Sequence, residues 1–304
     1  MLKQLFPTVA VTTIVVTVLL IFIGVIVRAS GAGLGCPDWP KCFGMWIPPT
    51  TAEALPPEFN PDEFNVVHTW TEYINRLFGV LVGFLIILTT IFSTGYLKER
   101  KTVFFASFLS LVLVLFQGWL GGQVVRSGLM PGMISVHMVV AMLILMTLVY
   151  AAWSAIKDRY RFTLMHNHKR SLFIASFLLL FLMFVQIVLG TQVREAIDMV
   201  DKVSIARAEW LDHVGIIDQI HRTFSWTILL VSGWIVYYVK SNNLVTNITK
   251  IAGLIFILVL TQVFIGVVLA YVGFPASFQV LHLGVSSFLI IAIQILLLAS
   301  KHNR

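Results

Sequence analysis

Long apolar runs follow one another along almost the whole chain, separated by short polar segments. A run of about 20 apolar residues is long enough to cross the hydrocarbon core of a bilayer as a helix. Eight runs reach that length, so the pattern predicts an all-α membrane protein with eight transmembrane helices and no sizeable soluble domain. The predicted segments are residues 9–27, 70–97, 102–125, 132–156, 171–193, 217–239, 250–272 and 276–300.

Composition agrees with this class. Of the 304 residues, 58% are hydrophobic and 12% are charged. The mean hydropathy of +0.92 lies well above that of soluble domains. The net charge of +7 is spread over short loops, so it does not indicate nucleic-acid binding, and the partner expected from composition is membrane lipid.

The charge of the loops alternates along the chain. Basic residues fill one set of loops, and acidic residues dominate the opposite set. The positive-inside rule then predicts that both termini are cytoplasmic. The first apolar run is too long for a signal peptide, and no Arg/Ser-rich transit peptide precedes it, so we expect a multi-pass protein of a bacterial plasma membrane. The basic loops are residues 98–101, 157–170, 240–250 and 301–304.

The two cysteines of the chain, Cys36 and Cys42, lie in the first outer loop, residues 29–67. The outer face is an oxidising environment, so a disulfide is predicted. The pair could be a simple loop staple, or it could exchange with a thiol protein outside the cell.

The two halves of the sequence share a pattern. Residues 72–76 and 218–222 both read acid, two spacers, a ligand-capable residue and arginine, and two glutamines each precede a histidine by 20 residues. These matches predict two tandem four-helix bundles related by a parallel pseudo-repeat. The predicted divisions are residues 1–157, a basic cytoplasmic linker at 158–170, and residues 171–304. The glutamine–histidine pairs are Gln117 with His137 and Gln262 with His282.

Four positions at membrane depth carry the candidate chemistry: Asn75, His137, His221 and His282. Each lies near the outer start of an even-numbered segment. Ionisable side chains in a bilayer are costly and by default functional, and imidazole is a common axial ligand of haem iron. His221 and His282 are therefore predicted to clamp one haem from both sides, with the guanidinium of Arg222 available to its propionates.

The first half differs because Asn75 stands where the repeat predicts a ligand opposite His137. A carboxamide is a poor iron ligand, so this site is predicted to offer one protein ligand and one open position. Glu72 lies three residues before Asn75 on the same helix face. Glu72 could act in catalysis or form a structural ion pair with Arg76. His68 could replace Asn75 only if the second helix begins irregularly.

Together these residues make the chain resemble the haem A synthase family over nearly its whole length. The resemblance rests on Cys36 and Cys42 with their spacing, the block from Glu72 to Arg76, His137, the block around His221 and Arg222, and His282. One departure is Asn75, where many members have histidine, which puts double histidine ligation of the substrate haem in doubt.

The resemblance implies an oxidoreductase that converts the C8 methyl group of haem O to the formyl group of haem A for terminal oxidases. It implies haem b as cofactor on His221 and His282, and a substrate haem site with His137, Asn75 and Arg76. Glu72 would be catalytic, and the cysteines would form an outer disulfide. Expected partners are haem O synthase and cytochrome oxidase assembly factors, with an unknown electron acceptor.

Two other classes remain open from the residues alone. A dihaem b-type electron-transfer cytochrome would hold two fixed haems and make no formyl product. A transporter would hold no haem. The remaining outer segment, residues 195–216, is rich in acidic residues and is expected to be a solvated loop.

Overall fold

The computed structural model describes residues 2–130, 132–159, 164–201, 207–244 and 246–301. Within these ranges the chain forms eight long helices joined by loops and short 3₁₀ turns, without a sheet. The helical fold class is therefore confirmed. The helices are α1 Leu2–Ala29, α2 Val66–Ser93, α3 Lys101–Arg126, α4 Met133–Ile156, α5 His166–Asp201, α6 Ile216–Ser241, α7 Thr246–Tyr271 and α8 Ala276–Lys301.

Seven of these helices are long and apolar enough to cross a membrane. The chain is thus a multi-pass membrane protein. α6 falls outside the seven although its 26 residues span about 39 Å. Its hydropathy is lowered by Asp218 and Arg222 in its first two turns and by several Trp and Tyr residues further along. The eighth membrane span stays a prediction.

Several helix ends differ from those predicted. α1 begins at Leu2 and α2 at Val66, where the Asn65 side chain caps the first turn by accepting from the backbone N–H groups of Val67 and His68. The largest difference is in α5, which begins at His166 inside the predicted linker and continues to Asp201. Residues 160–163 of that linker lie outside the described residues.

The prediction that residues 195–216 form a solvated acidic loop is wrong for the part that continues α5. Helix formation persists beyond the hydrophobic run because Val193, Ile197 and Val200 are buried against residues that include Trp210 and Ile265. Apolar packing on one face is sufficient to extend a helix whose other face is polar. Residues 202–206 of the predicted loop lie outside the described residues.

The helices contact each other in two rings of four. In the first ring, α1 contacts α2 and α4, and α3 contacts α2 and α4. In the second ring, α5 contacts α6 and α8, and α7 contacts α6 and α8. The rings meet where α1 and α4 contact α8 and where α4 contacts α5. The repeat relation and the domain boundaries stay predictions.

The largest buried cluster lies at the meeting of the two rings. Met142 and Leu145 of α4 pack in one cluster with Leu179 of α5, Ile255 of α7 and Ile293 of α8. A further tie is polar, since Gln294 of α8 donates its amide to the backbone carbonyl of Met146 at 2.8 Å. The core therefore fixes the position of α4, which carries His137, relative to the second ring.

Candidate functional site

His221 on α6 and His282 on α8 approach each other from diagonal positions in the second ring. Their ring centroids lie 6.3 Å apart with an angle of 68° between the ring planes. With metal–imidazole bonds of about 2 Å, two imidazoles on opposite sides of one metal ion have centres roughly 6 Å apart. Among the described residues, neither Nδ1 atom has a hydrogen-bond partner, although both are buried. The spacing of the two imidazoles fits a haem iron held between them.

The helix that precedes each of these histidines supports it. Gln186 of α5 donates its amide to the His221 carbonyl at 3.1 Å, and a Cβ at Gly190 would lie 3.1 Å from Cε1 of the same imidazole. Gln262 of α7 donates to the His282 carbonyl at 2.7 Å, and a Cβ at Gly266 would lie 3.8 Å from Cε1 of His282.

His137 in the first ring has the same surroundings. Gln117 of α3 donates its amide to the His137 carbonyl at 3.0 Å, and a Cβ at Gly121 would lie 3.5 Å from Cε1 of the imidazole. The His137 Nδ1 atom is buried and, within the described ranges, unpartnered. His137 thus has the same kind of glutamine and glycine contacts as the two histidines of the second ring.

Asn75 occupies the fourth corresponding position, on α2. Its Oδ1 atom is buried without a partner in the described part of the chain, and it would lie 3.7 Å from a Cβ at Gly24 of α1. His68 does not take over this position. α2 is regular from Val66 onward, so His68 stays about 10 Å further out along the axis.

The Glu72 carboxylate is buried and fully engaged. Its Oε2 accepts a hydrogen bond of 2.8 Å from the backbone N–H of Cys36, and its Oε1 accepts from Arg76 Nε at 3.1 Å and also pairs with Nη2. The proposed structural ion pair is therefore present. Glu72 also ties α2 to the disulfide loop.

The outer loop is held against α2 by Arg76. Its Nη1 donates to the carbonyls of Asp38 and Lys41, both at 2.8 Å, and its Nη2 donates to the carbonyl of Cys36 at 3.2 Å. Thr69 adds a 2.9 Å hydrogen bond to the Gly35 carbonyl. A Cβ at Gly35 would lie 2.4 Å from the carbonyl oxygen of His68, so only glycine permits this close approach.

The predicted disulfide between Cys36 and Cys42 is confirmed. The two residues are only 0% and 1% exposed, which favours a loop staple over thiol exchange at the surface. Trp39 of the same loop lies against α3, where a Cβ at Gly122 would come within 2.9 Å of its indole. The loop therefore covers the end of the first ring at which α2 begins.

The corresponding pair in the second half is Asp218 with Arg222, again four residues apart. Asp218 is buried, whereas the Arg222 side chain is 47% exposed and so remains accessible to a bound anion. Unlike Arg76, Arg222 holds no disulfide loop.

The extension of α5 beyond its apolar run contacts the first ring. Glu195 Oε1 accepts from the backbone N–H of Gly132 at 2.9 Å and from Ser135 Oγ at 3.1 Å, at the start of α4. Asp198 pairs with Arg28 of α1 and lies 3.1 Å from Arg194 on its own helix. These acidic side chains are therefore interface groups.

Sequence reasoning missed Gln186 as a neighbour of a histidine. Gln117 and Gln262 each lie 20 residues before their histidine. Gln186 lies 35 residues before His221, because α5 continues to Asp201 and α6 begins only at Ile216. A usable signal was present, since all three glutamines are followed four residues later by glycine.

The fold and the site define a class: multi-pass helical membrane proteins in which two buried imidazoles face each other at the spacing expected for a shared metal ion. Within this class, the chain belongs to the COX15-CtaA family of cytochrome oxidase assembly proteins, whose family model matches residues 7–294. The resemblance recognised in the sequence is thereby confirmed.

Three relatives are each named heme A synthase. The protein of Shewanella oneidensis is 29% identical over 213 residues, which cover 68% of this chain and 62% of the relative. That of Alkalihalophilus pseudofirmus is 29% identical over 150 residues, which cover 49% of this chain and 46% of the relative. That of Bartonella tribocorum is 24% identical over 304 residues, which cover 86% and 83%. The matches thus span about half of the first two relatives and most of the third.

Proposed function

We propose that this protein is a haem A synthase, an oxidoreductase that converts the C8 methyl group of haem O into the formyl group of haem A. The family and the names of the relatives support the activity. The observation that carries the proposal is the asymmetry of the two rings: one holds a pair of facing imidazoles, and the other holds His137 with Asn75.

The second ring is the proposed site of a resident haem b. His221 and His282 would hold it, and the 6.3 Å spacing of their imidazole centroids supports this role. Arg222, with its half-exposed guanidinium, is the proposed partner of a propionate. A haem held there would supply electron transfer.

The first ring is the proposed site of the substrate, haem O. His137 is the proposed iron ligand, and the carboxamide of Asn75 leaves the opposite face without a strong ligand. We assign Arg76 to this site as a positioning residue, since its guanidinium holds Glu72 and three carbonyls of the outer loop.

Glu72 is the proposed catalytic residue. Conversion of a methyl group to a formyl group breaks carbon–hydrogen bonds and adds one oxygen atom. With water as the oxygen source, protons are released and the electrons pass to an external electron acceptor, so a proton acceptor is needed near the reacting carbon. Glu72 is buried and lies one turn outward from Asn75 on the same helix face. Its hydrogen bonds to Arg76 and Cys36 fix the carboxylate in one orientation.

The wider setting follows from the same proposal. The two rings are taken as a parallel repeat with both termini in the cytoplasm of a bacterium. Haem O synthase would supply the substrate, and cytochrome oxidase assembly would consume the product. The family does not favour the alternative of a dihaem electron-transfer cytochrome.

Pigment analysis tests the proposal. The protein purified from a host that makes haem O should contain haem b together with haem O or haem A. His137→Ala should retain haem b and contain no haem A, whereas His221→Ala and His282→Ala should lose the low-spin haem b spectrum. Two tightly held haems b without any formyl product would instead identify an electron-transfer cytochrome.

A further inference from the structure

Three of the four ligand positions share one local arrangement. On the helix that precedes each histidine, a glutamine donates its amide to the histidine carbonyl, and a glycine four residues later lies beside the imidazole. We call this arrangement the Gln–Gly support. Its members are Gln117 and Gly121 for His137, Gln186 and Gly190 for His221, and Gln262 and Gly266 for His282.

We propose that the Gln–Gly support positions each histidine for iron ligation, and that its absence at the fourth position keeps one face of the substrate haem open. This inference rests on the proposed function. It adds three glutamines and three glycines as positioning residues, and it identifies Leu20, which takes the place of glutamine four residues before Gly24, as part of the open site.

The polar atoms left over in each support indicate how it acts. The Oε1 atoms of Gln117, Gln186 and Gln262 are buried without partners in the described structure. The Nδ1 atoms of the three histidines are in the same state. A buried polar atom without a partner needs an explanation, because leaving it unsatisfied costs free energy.

Iron ligation supplies that explanation. A histidine that binds a metal through Nε2 carries its proton on Nδ1 and normally donates it to an oxygen acceptor. The carboxamide of the support is such an acceptor. At Gln186 the amide nitrogen lies 3.5 Å from Nε2 of His221, so the carboxamide lies next to the ring but on its Nε2 side. Donation from Nδ1 to Oε1 therefore requires the carboxamide to rotate when iron binds Nε2.

The glycine has a separate part in the support. A Cβ would stand 3.1 Å from the imidazole at Gly190 and 3.5 Å away at Gly121. Without a side chain at this position, the ring can lie directly against the backbone of the preceding helix. The imidazole is thus enclosed between two helices before iron is present.

The fourth position lacks both the glutamine of the support and the histidine that the support holds. Leu20 has no amide to donate, and Asn75 has no imidazole to receive support, although Gly24 is retained beside it. Replacement of Asn75 by histidine alone would therefore provide a ligand without the support. Replacement of both residues would complete the arrangement.

The first test concerns the second ring. Gln186→Leu and Gln262→Leu should each release haem b to excess apomyoglobin about tenfold faster than the unmodified protein, with a shifted midpoint potential. Gln294→Leu is the matched control. Gln294 also donates to a carbonyl of a neighbouring helix, and its Oε1 has no partner among the described residues, but its acceptor is Met146 rather than a histidine. The control should keep the haem release rate and the potential.

The second test concerns the first ring in protein loaded with haem O. The spectrum of each variant is compared with that of the same variant carrying His137→Ala, which isolates the substrate haem. Asn75→His alone should leave part of this haem high-spin. Leu20→Gln combined with Asn75→His should give a fully six-coordinate, low-spin haem.

Several results would overturn the inference. One is a Gln186→Leu or Gln262→Leu protein that matches Gln294→Leu in release rate and potential. Another is an Asn75→His protein that is already fully low-spin, or a double variant that is no more low-spin than the single one. In each case His221→Ala and His282→Ala would still lose haem b. If those two variants kept it, the proposed function itself would fail.

Discussion

Glu72 has two roles that one substitution can separate. Its carboxylate accepts from the Cys36 N–H and binds Arg76, so it stabilises the outer loop, and it is also the proposed proton acceptor. Glutamine at this position retains an oxygen for the Cys36 N–H but cannot accept a proton. Alanine removes both functions.

We therefore expect Glu72→Gln to lower haem A formation at least 100-fold, the usual range for loss of a general base. The apparent melting temperature should fall, because a neutral amide no longer pairs with the Arg76 guanidinium, but by less than in Glu72→Ala, which also loses the hydrogen bond from the Cys36 N–H. Haem extraction with chromatography measures the product, and thermal unfolding in detergent measures stability. A Glu72→Gln protein with normal turnover would limit Glu72 to its structural role.

At the residue scale, the sequence is most informative where a polar side chain lies in an apolar segment. Histidines are conspicuous in apolar segments because imidazole is costly there, and His137, His221 and His282 are predicted as ligands for that reason. Gln186 was not recognised, since its relation to His221 depends on which helices are neighbours. A carboxamide in an apolar run does not reveal its partner.

Among the elements, the disulfide loop is the most constrained. Its two cysteines are almost fully buried, and Arg76 binds three of its carbonyls. We expect replacement of Cys36 and Cys42 by serine to lower the free energy of unfolding by about 2 kcal/mol. This is the chain-entropy effect expected for a disulfide that closes so short a segment. Unfolding of the purified protein with and without reductant measures this effect.

The same burial predicts the reactivity of the cysteines. An impermeant thiol reagent should label them only after reduction, and faster once the loop has been opened by mild denaturant. Labelling of the folded protein without reductant would contradict both the disulfide and its burial.

α5 shows what hydropathy alone cannot predict. The apolar run stops at residue 193, but the helix continues to Asp201 because one face packs against the second ring while Glu195 and Asp198 bind the first ring. The sequence shows charges at this point. Whether charges end a helix or join two helices depends on their neighbours in space.

Asp198→Asn tests the importance of that extension. The substitution leaves the guanidinium groups of Arg28 and Arg194 without this carboxylate, and we expect a loss of about 2 kcal/mol of unfolding free energy. The value is set below that of a fully buried pair because the side chains are 19% to 26% exposed. Glu99→Gln, at the exposed pair with Lys3, is the control and should have little effect. Equal stability of the two variants would rule out a structural role for Asp198.

At the scale of the whole molecule, the orientation of the chain is open to a direct test. Lys98 and Glu53 are both exposed and lie in loops predicted to face opposite sides of the membrane. A cysteine introduced at position 53 should react with an impermeant maleimide in intact cells. A cysteine at position 98 should react only after the cells are opened. The reverse pattern would invert the predicted topology.

The arrangement of the eight helices could be predicted only in part. Apolar length predicts how many helices cross a membrane, but lipid and a neighbouring helix are equally apolar. The pattern therefore could not indicate that α1 and α4 face α8. Those contacts depend on shape, for example on Gly284 of α8, where a Cβ would come within 2.1 Å of the Phe22 ring of α1.

The buried cluster between the two rings has a consequence for any attempt to divide the protein. Met142 and Leu145 are buried by side chains of the other half, so each half provides part of the environment in which the other half packs. A fragment of residues 1–157 would keep its internal helical hydrogen bonds in lipid. Mobile acyl chains would replace the packed surface of α5 and α8. α4 would then lose the contacts that fix its depth and rotation. The two halves therefore behave as one packed unit in the lipid.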